Sequence, residues 1–310
     1  TVTQGNISTD EQCIQFLQYD EQRWKEMNAV VAVENKKGER LELTKDPDYI
    51  IGQIDGLGPP TAQINTSKMV GYDGETFISS TAGSKPLDIY IYFQGDVEDS
   101  RIRLYKYIHS KEYLKVYYQN SHRDVYIEGY VQDIKIDHFA DMQMAQVSLL
   151  CPDPYFKNIV EQIDGGSQII DEFTFEFTCD EGESFEFGTM MEIPEIVALN
   201  RGEITNGITF RMRMNGIVTD PKIFNRATGE SFGISYTFQA GDVVTISTRV
   251  GNKSVKLMRD AQEINIFNSI MPGSKWLQLD IGDNVFIFEA AAGQSFIELF
   301  IIHRDEYEGV

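Results

Sequence analysis

Gly282-Asp283-Asn284-Val285, Phe296-Ile297-Glu298-Leu299-Phe300-Ile301-Ile302 and the terminal Tyr307-Glu308-Gly309-Val310 decide the fold class of this chain. The run from Phe296 to Ile302 is apolar at almost every position, which predicts a strand covered on both faces. A terminal segment of this kind stays ordered only when its backbone and side chains are tied into a sheet. The tail is therefore expected to close a domain, with Gly282-Asp283-Asn284 as the turn before it.

Working back from the tail, the second half reads as strand after strand. Phe173, Phe175 and Phe177 alternate with polar residues, as do Ile208, Phe210, Met212 and Met214, and then Ile234, Tyr236 and Phe238. Short alternating strands separated by turns such as Gly241-Asp242 describe a β-sandwich. The first half is mixed. Thr9 to Met27 carries capping-box spacing and one apolar stripe, which predicts a helix. Val30 to Glu34 and Glu39 to Thr44 flank Asn35-Lys36-Lys37-Gly38, a hairpin signal. Leu87 to Phe93 alternates as a half-buried strand, and a short helix is expected from Ser100 to Ser110, capped by Asp99 or Ser100, with Ile102, Tyr105 and Ile108 on one side. Strands follow at Leu114 to Tyr118, Val125 to Ile136 and Met144 to Leu150. Gly56-Leu57-Gly58-Pro59-Pro60 reads as a tight connection, because the prolines bar a regular helix.

Composition sets further bounds. A chain of 310 residues with 42% hydrophobic and 12% aromatic side chains has enough apolar mass for two packed domains. The expected division is an N-terminal extension over 1–27, a domain over 28–158, a linker over 159–166 and a sandwich over 167–310. A net charge of -21 with no basic stripe argues against nucleic-acid recognition. Cys13, Cys151 and Cys179 are odd in number and widely spaced, so they read as buried thiols of a protein made in a reducing compartment. No apolar run has the ~18 residues that a membrane span needs, and no charged-then-apolar leader is visible.

The search for chemistry finds no catalytic, cofactor or metal residues to nominate. His109, His122, His138 and His303 stand in separate segments without metal-ligand spacing. No nucleophile elbow, zinc-helix motif or phosphate-cradling loop occurs, and Gly56-Leu57-Gly58 lacks the third glycine of a dinucleotide site. Carboxylate pairs such as Asp133 with Asp137, or Glu183 with Glu186, are what 48 acidic residues produce by chance. Trp276 with Tyr307, or the tyrosines at 90, 92, 117 and 118, can stack on sugar rings; Trp276, beside Leu277 and Leu279, fits a core position better.

Taken in order, Asn35 to Leu43, Gly56 to Pro60, Asp73-Gly74, Arg101, Cys151 to Phe156, Asn200-Arg201-Gly202, Pro221-Lys222-Ile223, Gly241-Asp242, Trp276-Leu277, Gly282-Asp283-Asn284 and Tyr307 to Val310 resemble the distal tail protein family of long-tailed phages. The resemblance covers residues 28 to 310; the first 27 depart from it. It implies a mainly β protein, with an N-terminal split-barrel-like domain carrying short helices and a C-terminal galectin-like or carbohydrate-module-like sandwich. It further implies a non-enzymatic hexameric ring in the tail tip or baseplate of the virion, assembled in the host bacterial cytoplasm. Partners would be further copies of the chain, the tail tube protein, the tail-tip hub protein and receptor-binding proteins, without sequence-specific nucleic acid binding or membrane insertion. Ring contacts are expected at the hairpin Val30 to Thr44 and the segment Ile54 to Asp73. The same part serves tail-like bacteriocins; a carbohydrate-binding adhesion module is the alternative from a different class.

Overall fold

The computed structural model describes residues 29–71, 73–140, 142–166 and 195–310. The helix read over Thr9 to Met27, the Phe173 to Phe177 strand, Glu183, Glu186, Cys13 and Cys179 lie outside these residues. The chain divides into two compact units, one running to Ile159 and including Tyr307–Val310, the other Val160–Glu306.

The first unit is built on β1 (Val30–Asn35), β2 (Arg40–Leu41), β3 (Tyr49–Asp55), β4 (Ala62–Ser67), β5 (Thr76–Ala82), β6 (Lys85–Phe93), α1 (Val97–Tyr107), β7 (Tyr113–Gln119), β8 (Asp124–Ile136), β9 (Met144–Cys151) and β10 (Phe156–Asn158). Its main sheet runs β2-β1-β7-β8-β9-β6-β3, with β10 beside β8; the pairings within this path are antiparallel. The expected first hairpin forms around Asn35, whose Oδ1 accepts from the amides of Lys37 and Glu39 at 3.0 and 3.1 Å. Gly38 completes the turn at φ +80°, a conformation that side chains resist. In β6, Leu87, Ile89, Ile91 and Phe93 all point into the core, as their alternation predicts. That core gathers side chains from β1, β2, β3, β6 to β9, β10 and α1 into one cluster.

The short helix differs from its sequence reading. It begins at Val97, with Asp96 as cap accepting from the amides of Glu98 and Asp99. Gly95, at φ +64°, turns the chain out of β6 early enough for the helix to start there. Its inward face is Ser100 and Leu104, spaced i and i+4, which leaves Ile102 and Tyr105 exposed.

The second unit contains β11 (Gln162–Gly166), β12 (Glu195–Asn200), β13 (Asn206–Gly207), β14 (Thr209–Met214), β15 (Val218–Thr219), β16 (Lys222–Asn225), β17 (Ser231–Gly233), β18 (Thr237–Phe238), β19 (Val243–Ser247), β20 (Ser254–Arg259), β21 (Gln262–Asn265), β22 (Gln278–Leu279), β23 (Gly282–Glu289) and β24 (Ile297–His303). A sheet ordered β11-β24-β14-β19-β20-β21 and another ordered β12-β23-β16-β17 pack their apolar faces into one core. The fold is thus mainly β, and this unit is a β-sandwich. Phe210 and Phe286 meet edge to face across that core, ring centroids 5.3 Å apart. A fully buried phenylalanine contributes about 1.5–3 kcal/mol and an exposed ion pair about 0–1, so the apolar layer, not surface charge, carries the unit.

The division of the chain departs from expectation in two places. Gln162–Gly166, read as linker, is the edge strand β11, hydrogen-bonded to β24. Tyr307–Val310, read as part of the sandwich, belongs to the first unit, where Tyr307 and Val310 pack on the core. Alternation along a strand cannot say which sheet receives it. The Ile234 to Phe238 run also breaks into a bridge at Ile234 and the two-residue β18.

Gly241-Asp242 is more than a turn. Asp242 is buried, and its oxygens accept from the Gln239 amide at 2.8 Å and from two nitrogens of Arg259, at 2.8 and 2.5 Å. The guanidinium holds its carboxyl below the ordinary range. Such a group stabilises the fold above the unfolded carboxyl value, and that stabilisation fades as pH falls through the lower folded value. Arg259→Ala should therefore cost about 2–3 kcal/mol at pH 7. The gap between variant and wild type should narrow below about pH 4; urea unfolding followed by tryptophan fluorescence at pH 7 and pH 3 checks both.

Candidate assembly surface

The route from β3 to β6 leaves the body of the first unit. Gly56 turns the chain at φ +94°, and a Cβ there would lie 2.3 Å from the Pro86 carbonyl oxygen, so no larger residue fits. Every described residue from 61 to 82 is exposed, and among the described residues β4 and β5 pair only with each other. The two strands form an arm in register from Ala62 opposite Ala82 to Ser67 opposite Thr76, with a bulge after Asn65. Cross-strand bonds stiffen it: Asn65 Nδ2 donates to Ser79 Oγ at 3.0 Å, and the Thr66 hydroxyl to Glu75.

The arm is apolar where an isolated hairpin in water should be polar. Ile64, Met69, Phe77 and Ile78 are each more than 60% exposed, and Val70 is fully exposed. A two-stranded ribbon is marginally stable alone, and an exposed apolar patch marks an interaction site.

Its root is fixed by one buried cation. Lys85, 3% exposed, opens β6 and donates to the carbonyls of Gly58 at 2.6 Å and Glu308 at 2.8 Å. The ammonium also lies 4.6 Å from the centre of the Phe156 ring, a cation–π contact. Around it the terminal segment is clamped. The Val310 amide donates to Leu57 O at 3.0 Å, Arg123 donates to Gly309 O at 2.6 Å, and the Arg123 guanidinium lies 4.1 Å from the centre of the Tyr307 ring. Cys151 is the cross-strand partner of Lys85. Burial lowers the Lys85 pKa and pushes the Cys151 thiol up to about 11, so the site disfavours either charge.

The residues weighed for chemistry sit apart. His109, His122 and His138 are exposed, while His303 is buried with Nε2 2.8 Å from Asp164. Asp133 faces Lys135 at 3.7 Å, and Asp137 accepts from the Phe139 amide. Among the described residues no group of three His, Cys, Asp or Glu is placed to hold a metal, and no helix is long and apolar enough to cross a membrane. Trp276 packs against the sandwich core beside Phe232, centroids 5.0 Å apart, whereas Tyr307 packs in the first unit. Tyr117 donates to Glu34 at 2.9 Å, Tyr92 fills the space over Gly52, and Tyr118 rests on the core. The sequence reading of a plain connection at 56–60 missed the arm; Asp73-Gly74 between Ile64-Asn65-Thr66 and Thr76-Phe77-Ile78 is the hairpin signal that marks it.

Comparison with known proteins agrees with this architecture. A model of the phage tail protein RIFT-related domain matches residues 36–151, and one of the siphovirus-type tail component C-terminal domain matches 201–300. The chain is therefore a phage tail protein. The fold is shared with the phage SPP1 Dit protein, whose crystal structure is described as a paradigm of the hub adsorption apparatus in phages infecting Gram-positive hosts: TM-score 0.62, 12% identity, covering 89% of this chain and 99% of that one. It is also shared with a chain of the phage P2 baseplate in its activated conformation with Ca, at TM-score 0.51 and 11% identity, covering 91% and 99% respectively. No curated protein sequence matches the chain. It belongs to the Dit family of siphophage tail components.

Replacing Lys85 by Met keeps the stem and removes the hydrogen bonds to the Gly58 and Glu308 carbonyls. Stability should fall by about 1–3 kcal/mol, and the Val310 amide should exchange faster, as read by hydrogen-exchange mass spectrometry. The raised Cys151 thiol contributes stability that is complete below its ordinary value and lost as pH rises towards 11. The difference in urea midpoint between wild type and Cys151→Ala should accordingly shrink from pH 8.5 to pH 11.

Proposed function

We propose that the chain forms a hexameric ring in the tail tip or baseplate, joining the tail tube to the tail-tip hub and carrying receptor-binding proteins. The arm β4–β5 carries this reading. Ring closure is a head-to-tail contact, in which one surface must meet a different surface of the next copy. An exposed apolar arm, rooted rigidly at Lys85, supplies one half of such a contact. β3, the end strand of the main sheet among the described residues, offers its outer edge for the other half.

Of the two segments expected at the contact, the arm extends the second from Ile54–Asp73 to Ala82. The Val30 to Thr44 hairpin is a poorer candidate, because β1 is hydrogen-bonded on both sides within its own sheet. The first unit is accordingly the ring-forming domain, and the sandwich is the part that meets peripheral tail proteins. No catalytic role enters this reading: the work is assembly, driven by apolar burial at the arm.

Ile64→Asp with Phe77→Asp should leave the melting temperature within a few degrees, since both side chains are exposed, and should abolish six-fold rings in negative-stain micrographs. Light scattering should then report a monomer where the unmodified chain reports a hexamer. Rings that persist in the double variant, or in a chain with 61–82 replaced by a short glycine turn, defeat the assignment of the arm.

A further inference from the structure

The solvent-facing side of the six-stranded sheet holds a cleft of about 310 Å³ that neither ring closure nor the sandwich core uses. Its floor comes from side chains that alternate outward from β14, β19 and β20. Ser247 lies between Thr209 and Ser254 in one cross-strand row, and Thr245 lies between Arg211 and Lys256 in the next. Arg249, just beyond β19, and Glu263 and Met258 complete the rim.

Two observations point to a ligand. The first is Ser247: it is 6% exposed, and its Oγ has no hydrogen-bond partner among the described residues although it lines the cleft. A buried hydroxyl left unpaired costs about 1–3 kcal/mol, a cost that a bound oxygen at this position removes. The second is charge. In a chain with 27 basic and 48 acidic residues, this face gathers Arg211, Arg213, Arg249 and Lys256. Among the described residues, Lys256 and Arg249 are paired at the rim with part-exposed carboxylates, Glu263 at 2.8 Å and Glu161 at 3.4 Å. Such pairs are worth about 0–1 kcal/mol, so either cation can turn to a ligand anion at little cost.

We propose that this cleft binds a hydroxyl-rich small molecule or polymer unit carrying an anionic group, a sugar or polyol phosphate or carboxylate. Lys256 and Arg249 meet the anion, and the Ser247 and Thr245 hydroxyls complete its hydrogen bonds. Glu263, released from Lys256, accepts from a ligand hydroxyl, while Met258 lies against its C–H surface. The site lies wholly on the second unit and does not depend on the ring.

Isothermal titration calorimetry of the full chain tests it with three probes: glycerol 3-phosphate, glucuronate and uncharged glucose. The two anions should bind with Kd on the order of 1 mM and glucose at least about tenfold more weakly; the tighter anion identifies phosphate or carboxylate as the group recognised. Lys256→Gln should weaken the tighter probe about tenfold and Ser247→Ala about fivefold, with melting temperatures unchanged. Absence of heat at 20 mM ligand, equal binding of glucose, or variants that bind like the wild type would overturn the proposal. Loss of rings in the arm variant with retained anion binding would show that the two sites are independent.

Discussion

A single buried ammonium organises the first unit. Lys85 brings together three stretches far apart in the chain: the Gly56–Pro60 connection through Gly58 O, the Cys151–Phe156 segment through the Phe156 ring and Cys151, and the terminal Tyr307–Val310 through Glu308 O. An unpaired charge in that position would cost several kcal/mol, so the carbonyls and the ring are what make it tolerable. The reverse also holds. Without the ammonium, the Gly58 and Glu308 carbonyls lose its hydrogen bonds, and the terminal residues lose one of the bonds that hold them to the first unit.

The dependence of the arm follows from this. Residues 61 to 82 bury nothing of their own, so their direction is set by what fixes residues 56 to 60 and 83 to 86. Gly56 is pressed against the Pro86 carbonyl, Leu57 accepts from Val310, and Gly58 accepts from Lys85. An apolar ribbon on a rigid root can meet a neighbouring copy at a defined angle, whereas the same ribbon on a loose root would pay the ordering entropy at each contact. The exposed apolar surface and the buried cation are thus two ends of one device.

In the sandwich the division of labour is different. The Phe210–Phe286 layer and its neighbours supply the cohesion, while Asp242 with Arg259 fixes the turn that leads into β19. Strand β19 then turns Thr245 and Ser247 towards the cleft and Val244 and Ile246 to the core, so one alternation builds both the core and the cleft.

Sequence alone determined the mainly β class, the strands at Leu87–Phe93 and, within a residue at their starts, at Ile208–Met214 and Phe296–Ile302, and the absence of any recognised catalytic motif, because these follow from local alternation and spacing. It also marked the residues now found around Lys85, as motifs whose order resembles a tail-protein family, without showing that they touch. Tertiary structure decided what alternation cannot carry. It gave Tyr307–Val310 to the first unit, made β11 a sandwich strand, started α1 at Val97, separated Tyr307 from Trp276, and turned the described residues of 61–82 into an exposed arm. The physical reason is the same in each case. A strand's period says which side chains share a face, but the partner that covers that face, or leaves it bare, is fixed by contacts between residues tens to hundreds of positions apart.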